Sequence, residues 1–193
     1  MSRWAPTLAI GVLLVACCGW VLAQRRPSTG TEGGQPPNHD VKPGDAEELE
    51  RLFKARGYSE IPLDRLRSGY LAVRVTAAGS KLRLILDTGA PVTCLDPERT
   101  KAINLKWHKL RASLPERDPE WDTSKECELD GLDFGAFKTG PVRAGEHRVA
   151  AVNQWLAVYR DPPVDGVLGG DVLTACSAWI DYPGRRLFLR PDR

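Results

Sequence analysis

The sequence has few of the residues that metal sites, disulfide scaffolds and nucleic-acid surfaces require. Its 193 residues include three histidines and five cysteines, and no two cysteines are separated by two residues. His39, His108 and His147 show no ligand spacing with one another or with a cysteine. The net charge is only +2, and the few aromatic residues do not alternate with basic ones as they do in a base-stacking surface. We therefore expect no zinc site and no nucleic-acid partner.

The cysteines are too few and too scattered for a small disulfide-stabilised domain. Cys17 and Cys18 lie in an apolar N-terminal stretch, and Cys94, Cys127 and Cys176 are spread over the rest of the chain. The odd number in that second group favours small apolar residues of the core. One disulfide among the three is an alternative only if the domain is exported.

A membrane-associated segment is indicated at the N-terminus. Residues 4–23 carry no charged side chain, with Arg3 before them and two arginines shortly after them. Three interpretations remain open: a signal peptide cut after Ala23, a lipid anchor at Cys17 in a lipobox-like sequence, or an uncleaved segment that spans a bilayer. We therefore expect a membrane-anchored or exported protein whose domain lies outside the cytoplasm, although the flanking arginines alone do not decide the membrane side.

Composition places two further boundaries. Residues 24–44 are rich in proline, glycine, serine and threonine and lack an apolar period, which predicts a disordered linker. A capping box that starts at Asp45 predicts a helix that ends at Gly57. Residues 45–67 are accordingly interpreted as a helix and its connection, and residues 68–193 as the folded domain.

From residue 68 onward, apolar residues recur mainly with the period of two that is typical of strands. Leu71, Val73 and Val75 share one side of a predicted strand, and residues 81–86 return as the second arm of a hairpin. Further strands are predicted at 92–95, 128–137, 149–158, 164–168, 178–181 and 186–189, and short helices at 97–103 and from Asp171. The pattern predicts an all-β domain, a small closed β-barrel with one or two short helices.

The strand at residues 81–86 runs directly into Asp87, Thr88 and Gly89. A carboxylate at this point lies where the chain leaves the core, and burying it is costly unless the group has a role. Gly89 allows the turn to adopt backbone angles that other residues disfavour. The tripeptide alone is weak support for an active site, because so short a motif also arises by chance.

Three segments, in the same order, resemble those of the retropepsin-like aspartic proteases, the single-lobed relatives of pepsin, and in particular their small bacterial membrane-tethered members. The segments are residues 84–90 (LILDTGA), 165–173 (DGVLGGDVL) and 180–187 (IDYPGRRL). The resemblance covers most of the predicted domain. It implies an acid-protease-type barrel in which the second segment forms a strand that crosses under the active-site loop and is followed by a helix.

The resemblance implies hydrolysis of peptide bonds by two aspartates that share one proton. Asp87 would be the catalytic acid and base, Thr88 the hydroxyl that braces two such loops, and Gly89 the backbone donor that orients Asp87. Because the sequence contains one such tripeptide, the second aspartate must come from another copy. The resemblance thus implies a homodimer with Asp87 and its mate at the two-fold axis, a peptide or protein substrate, and no metal or cofactor.

Two further residues are expected to contact substrate, Ala90 beside the tripeptide and Trp121. Members of the family cover the site with a hairpin flap that is often rich in glycine, and by position the flap falls within residues 107–125. This stretch has no glycine and contains two prolines and several acids, so we expect an unusual flap. Trp121 has an alternative interpretation as an aromatic residue that packs the base of the loop.

Simpler interpretations compete with a catalytic one. Asp87 alone would also serve to cap a turn. Asp165, Asp171 and Asp181 are candidates for an in-chain partner of Asp87, but Asp171 is better explained as a helix cap and Asp181 as a turn residue. The leading hypothesis is an aspartic endopeptidase active as a homodimer, and the alternative is a non-catalytic module that binds peptides or proteins on the same fold.

Overall fold

Alternating apolar residues form short strands through most of the chain, and short helices connect them. The computed structural model describes residues 43–110 and 125–191. The helices in these ranges are α1 (Pro43–Ala55), α2 (Ala150–Val158) and α3 (Gly170–Ala175), with a turn of 3-10 helix at Lys101–Ile103. The strands are β1 (Ser59–Pro62), β2 (Asp64–Arg65), β3 (Leu71–Ala77), β4 (Ser80–Leu86), β5 (Cys94–Leu95), β6 (Trp107–Lys109), β7 (Lys125–Leu129), β8 (Val142–Glu146), β9 (Gly166–Leu168), β10 (Trp179–Asp181) and β11 (Arg186–Leu189). The described residues are therefore mostly β with few short helices, as the sequence predicts.

Strands β3 and β4 form the predicted hairpin, and both of its faces are buried at the end away from the turn, whereas Arg74 and Lys81 nearer the turn are exposed. Val73 and Leu84 face each other and lie in the larger hydrophobic core. The neighbouring pair, Ala72 and Ile85, points to the opposite face and lies in a second core cluster. Because β4 is enclosed on both sides, its end is held in place and delivers the next residue, Asp87, to a defined position.

Strand β9 lies between β4 and β5 in the sheet. It runs parallel to β4, where Leu84 is opposite Gly166, and antiparallel to β5, where Cys94 is opposite Val167. A Cβ atom on Gly166 would collide with the carbonyl oxygen of Cys94 and lie 3.0 Å from the Cα of Leu95. The segment that connects β4 to β5 therefore bridges the end of β9, and glycine allows the close crossing.

The closed barrel predicted from the sequence is not confirmed. Eight strands form one sheet in the order β2-β3-β4-β9-β5-β8-β7-β6, and the other three form a sheet in the order β1-β11-β10. The larger sheet has two ends, β2 and β6, and pairing among the described strands does not join them. Backbone hydrogen bonds of 2.7 and 2.9 Å between Thr76 and Asp133 nevertheless require the sheet to curve back toward β3.

Residues 149–158, predicted as a strand, form helix α2 instead. Val149, Val152 and Leu156 are spaced by three and four residues, which places them on one helical face. Asn153 exchanges two hydrogen bonds, of 2.8 and 3.0 Å, with the backbone of Val164. The apolar composition of this stretch suits either period, and packing against the second face of the β3–β4 hairpin selects the helix.

Helix α1 packs on the three-stranded sheet. Phe53 stacks on Phe188 of β11, with the ring centroids 4.4 Å apart. Arg186, also on β11, pairs with Asp181 at 2.6 Å and donates a hydrogen bond of 3.3 Å to the carbonyl oxygen of Ala46. An apolar stack and a partly buried arginine thus attach the first described element to the last hairpin.

The predicted helix boundaries are nearly those of α1. The helix begins at Pro43 rather than Asp45 and ends at Ala55. Gly57 has a φ of 79°, the left-handed backbone that is typical of a residue just past a helix end. Strands β1 and β2 follow in the stretch that the sequence assigned to a connection, and they pair with β11 and β3.

Several sequence predictions fall outside the described residues. They concern the apolar N-terminal segment, the linker and the centre of the flap, residues 111–124, which includes Trp121. The strands on either side of that centre, β6 and β7, pair antiparallel with Trp107 opposite Cys127. None of the helices within residues 43–110 and 125–191 has the length and hydropathy of a bilayer-spanning segment.

We expect Phe53→Ala to lower the free energy of unfolding by about 3–5 kcal/mol, because it leaves a cavity against Phe188. Urea denaturation followed by tryptophan fluorescence measures the change. Leu52→Ala is the matched control on the same helix, since Leu52 is 44% exposed and its truncation should cost about 1 kcal/mol or less. Equal losses in the two variants would contradict the packing of α1 described here.

Candidate active site

The candidate active site is the loop of residues 87–93, which connects β4 to β5. Asp87 directly follows β4, and its N–H donates a hydrogen bond of 3.1 Å to the carbonyl oxygen of Leu168 at the end of β9. The Oδ1 atom of Asp87 accepts the N–H of Gly89 at 2.8 Å. A Cβ atom on Gly89 would lie 3.2 Å from the same oxygen, a tight contact that glycine avoids. The hydrogen bond expected between Gly89 and Asp87 is therefore present.

The tip of the loop is open to the outside. Asp87 is half-buried, whereas Thr88 and Gly89 are exposed. Within residues 43–110 and 125–191, no hydrogen bond or ion pair occupies Oδ2 of Asp87 or the hydroxyl of Thr88. A half-buried carboxylate with one oxygen held and the other open can accept a water molecule or a second carboxyl group.

The turn between β9 and α3 supports the loop through the backbone. The N–H of Gly170 donates a hydrogen bond of 2.7 Å to the carbonyl oxygen of Ala90. A Cβ atom on Gly169 would lie 2.5 Å from the carbonyl oxygen of Val92 and 2.7 Å from the nitrogen of Thr93. The two backbone segments are thus in direct contact, with no room for a side chain at residue 169.

Asp171 is not the helix cap that the sequence suggests. Gly169 occupies the N-cap position of α3, and Asp171 lies inside the first turn. The Oδ1 atom of Asp171 accepts both the N–H and the hydroxyl of Thr93, each at 2.8 Å. It also accepts the N–H of Val172 at 2.8 Å. The sequence gives no signal for the pair of Thr93 and Asp171, because 78 residues separate them.

Apart from the exposed Asp130, the other aspartates whose side chains the structure describes are engaged elsewhere. Asp165 accepts the N–H of Arg83 at 2.9 Å and pairs with Arg99 at 3.0 Å. Asp181 pairs with Arg186 inside its turn, which is the turn role predicted for it. Within the described ranges no hydrogen bond joins Asp87 to a second aspartate. Four more aspartates accept a hydrogen bond from a backbone N–H or an arginine: Asp64, Asp96, Asp133 and Asp161.

Burial shifts the pKa values of two titratable groups near the loop in the direction that favours their neutral forms. Burial raises the pKa of the Cys94 thiol to about 12, and the charge of Asp171 acts in the same direction, so this thiol is a poor nucleophile. Burial lowers the pKa of His147, although the Asp96 carboxylate opposes that shift. No cluster of three or more histidine, cysteine or acidic residues in the described part of the chain could hold a metal ion.

The three cysteines of the described chain form no disulfide and are buried, as the core interpretation predicts. Cys94 and Cys127 are fully buried, and Cys176 is almost so. Burial also raises the pKa of Cys127 to about 11. These thiols serve packing in the structure, and the alternative of a disulfide among them is not seen.

Of the two residues predicted to contact substrate, the structure describes Ala90. Ala90 is 2% exposed, and its methyl group packs in the second core cluster with Val149 and Leu156. A contact between Ala90 and substrate stays a prediction, and in this conformation the residue is buried and its carbonyl oxygen accepts the N–H of Gly170. Trp121 lies outside the described residues.

An open apolar groove of about 1180 Å³ borders the loop at Thr88. Its walls come from α1, α3 and β10 and include three large exposed side chains, Leu52, Trp179 and Tyr182. Apolar residues exposed together are typical of contact surfaces. The groove leaves the side chain of Thr88 accessible from outside the chain.

Comparison with known proteins gives a likeness to solved structures but no match by sequence. No protein-family model matches the chain, and no curated protein matches it either. Among solved structures, the chain is similar to a retropepsin-like aspartic protease from Rickettsia conorii, with a TM-score of 0.42 and 19% sequence identity over 68% of this chain and 90% of that one. At this score and identity the likeness carries no information about chemistry, and the case for a function rests on this chain's own residues.

We expect Gly169→Ala to lower the free energy of unfolding by about 1–3 kcal/mol, because the new methyl group would force the backbone of Val92 and Thr93 to move. Urea denaturation measures the loss. Gly140→Ala is the matched control, since no atom lies within 4 Å of a Cβ built at Gly140. A Gly169→Ala variant as stable as Gly140→Ala would show that the loop does not contact the β9–α3 turn as described.

Proposed function

We propose that this protein is an aspartic endopeptidase of the retropepsin-like type, in which a homodimer supplies one aspartate from each copy. The observation that carries the proposal is the state of Asp87. Its carboxylate is half-buried at an exposed loop, Oδ1 is held by the N–H of Gly89 at 2.8 Å, and Oδ2 has no partner within the described residues. A turn carboxylate that merely capped local N–H groups would not need so rigid a support beneath it.

The contacts of the three aspartates considered as in-chain partners of Asp87 favour a second carboxylate from another copy. Asp165 and Asp181 are paired with arginines, and Asp171 is bound to Thr93 and the backbone of α3. Moving any of them to Asp87 would leave an arginine or buried backbone N–H groups without a partner, which is costly. A two-fold axis close to Asp87 brings a matching carboxylate at no such cost.

The proposed chemistry uses the dyad as acid and base in one step. Two carboxyl groups about 3 Å apart cannot both be ionised, so they share one proton. The ionised group takes a proton from water, which attacks the peptide carbon, while the protonated group donates to the carbonyl oxygen. The hydrogen bond from Gly89 holds Asp87 in the orientation that this transfer needs.

Thr88 is proposed to brace the two loops of the dimer. Its side chain is exposed, and its hydroxyl makes no hydrogen bond within the described residues. In a symmetric dimer with Asp87 at the axis, Thr88 of each copy would lie beside the partner's loop. The hydroxyl would then acquire its missing partner there, which couples assembly to the correct placement of the dyad.

The N-terminal segment is proposed to hold the enzyme at a membrane or to direct its export. Residues 4–23 are uncharged and long enough to span a bilayer, and residues 24–42, the predicted linker up to Pro43, separate them from α1. Confinement to a membrane would raise the effective concentration of the copies and favour the dimer.

Subunit mixing with Asp87→Asn tests the dyad. The full-length protein in mild detergent is assayed on a diverse peptide library, and we expect the variant to lose activity by at least about 100-fold. When wild-type and variant chains are unfolded and refolded together in equal amounts, about one quarter of the dimers contain two wild-type chains. Activity should therefore fall to about one quarter of that of the same total amount of wild-type chain.

Asp130→Asn is the matched control for this experiment. Asp130 is exposed, and its substitution removes the same charge as Asp87→Asn. We expect it to leave both the activity and the result of mixing unchanged. Cleavage that persists in Asp87→Asn would overturn the proposal. A well-folded dimer that binds peptides but cleaves none at any pH would favour the alternative, a non-catalytic binding module.

The pH dependence gives a second prediction. We expect kcat/KM to peak below neutrality and to fall on both sides, because the dyad works only while it holds one proton. Circular dichroism over the same pH range separates this effect from unfolding. A rate that climbs steadily into alkaline pH would contradict the aspartic mechanism.

A further inference from the structure

A continuous chain of hydrogen bonds links Asp171 to the backbone of Asp87. The hydroxyl of Thr93 donates to Oδ1 of Asp171 at 2.8 Å and accepts the N–H of Gly169 at 3.1 Å. That N–H belongs to the peptide group between Leu168 and Gly169. The carbonyl oxygen of the same peptide group accepts the N–H of Asp87 at 3.1 Å. One side-chain hydroxyl and one peptide group thus connect two aspartates.

All three donors in this chain point toward Asp171. The N–H of Asp87, the N–H of Gly169 and the hydroxyl of Thr93 each donate to the next member, and the last acceptor is a carboxylate. Hydrogen bonds aligned in this way polarise one another, and an ionised acceptor strengthens the series. The arrangement therefore resists rotation of the peptide group on which Asp87 rests.

Thr93 is placed where it can connect both ends of the loop to Asp171. It is fully buried, its N–H also donates to Oδ1 of Asp171 at 2.8 Å, and it stands at the far end of the loop that begins at Asp87. One carboxylate therefore holds the end of the loop directly and its beginning through the Leu168–Gly169 peptide. A helix-capping role does not explain this, because the cap position of α3 belongs to Gly169.

We propose that Thr93 and Asp171 are positioning residues for the active-site loop, which fix the backbone of Asp87 through the Leu168–Gly169 peptide without touching the substrate. This inference rests on the proposed function for its effect on turnover. Its structural part, the bracing of the loop, stands on the hydrogen bonds alone. Displacing a catalytic group by a fraction of an ångström lowers turnover more than it lowers substrate binding.

Thr93→Val tests the proposal, because it keeps the shape of the side chain and removes the hydroxyl. Thr100→Val is the matched control: Thr100 is also buried, and its hydroxyl donates to the carbonyl oxygen of Asp96 at 2.7 Å, away from the Asp87 loop. We expect the two variants to shift the urea midpoint similarly. Only Thr93→Val should lower kcat, by about tenfold or more with KM little changed.

Hydrogen–deuterium exchange supplies a readout that does not depend on catalysis. In the full-length protein, we expect peptides that cover residues 86–93 to exchange faster in Thr93→Val than in the wild type or in Thr100→Val. Thr93→Ser restores the hydroxyl and should restore both kcat and protection. Asp171→Asn keeps the shape but removes the charge, so we expect an effect in the same direction, and it serves as the second test if Thr93→Val does not fold.

The outcomes separate this inference from the proposed function. Suppose that the wild type cleaves peptides and that Thr93→Val leaves both kcat and the hydrogen exchange of the loop unchanged. That result would overturn the positioning role and leave the enzyme proposal intact. A kcat lowered equally by Thr100→Val would also overturn it, since general destabilisation would then explain the loss. Absence of any cleavage by the wild type would refute the enzyme proposal, while the exchange rates would still decide whether Thr93 braces the loop.

Discussion

The close passage of β9 beside the segment that joins β4 to β5 is the constraint on which the rest of this structure depends. Gly166 faces the backbone of Cys94, and Gly169 faces that of Val92 and Thr93, each with no room for a Cβ atom. Backbone in such contact can exchange hydrogen bonds directly, as Leu168 does with the N–H of Asp87. Because protein interiors are close-packed, these contacts allow the loop few alternative conformations.

The surrounding elements serve to keep that crossing in place. The end of the β3–β4 hairpin that leads into Asp87 is buried on both faces, by the main core on one side and by α2 with its neighbours on the other. The β10–β11 hairpin, with α1 stacked on it, follows directly after α3, and the N–H of Arg190 donates a hydrogen bond of 3.0 Å to the carbonyl oxygen of Cys176 at the end of that helix. The loop is irregular in backbone, yet it stands on strands and a helix that cannot move independently, which is what a precise catalytic geometry requires.

Several carboxylates inside the domain are stabilised by hydrogen bonds from the backbone. Buried or half-buried carboxylates such as Asp96, Asp165 and Asp171 each accept backbone N–H groups, so their burial is compensated. Asp87 differs because one of its oxygens faces the opening of the loop without a donor from the described residues. An incompletely satisfied carboxylate on a rigid support is consistent with half of a site that a second copy completes.

The sequence alone determined the features that depend on local pattern. Alternation predicted the β3–β4 hairpin, and the tripeptide after it predicted a turn in which Gly89 donates to Asp87, because neighbours along the chain make both. Residues 149–158 were predicted wrongly as a strand, since their apolar content suits two periods and only the face they cover selects a helix. The hydrogen bond between Thr93 and Asp171 could not be predicted from local sequence pattern either, because those residues meet only when β9 passes between β4 and β5. Tertiary structure therefore decided how the loop is held, since long-range backbone packing leaves no periodic signal in the sequence.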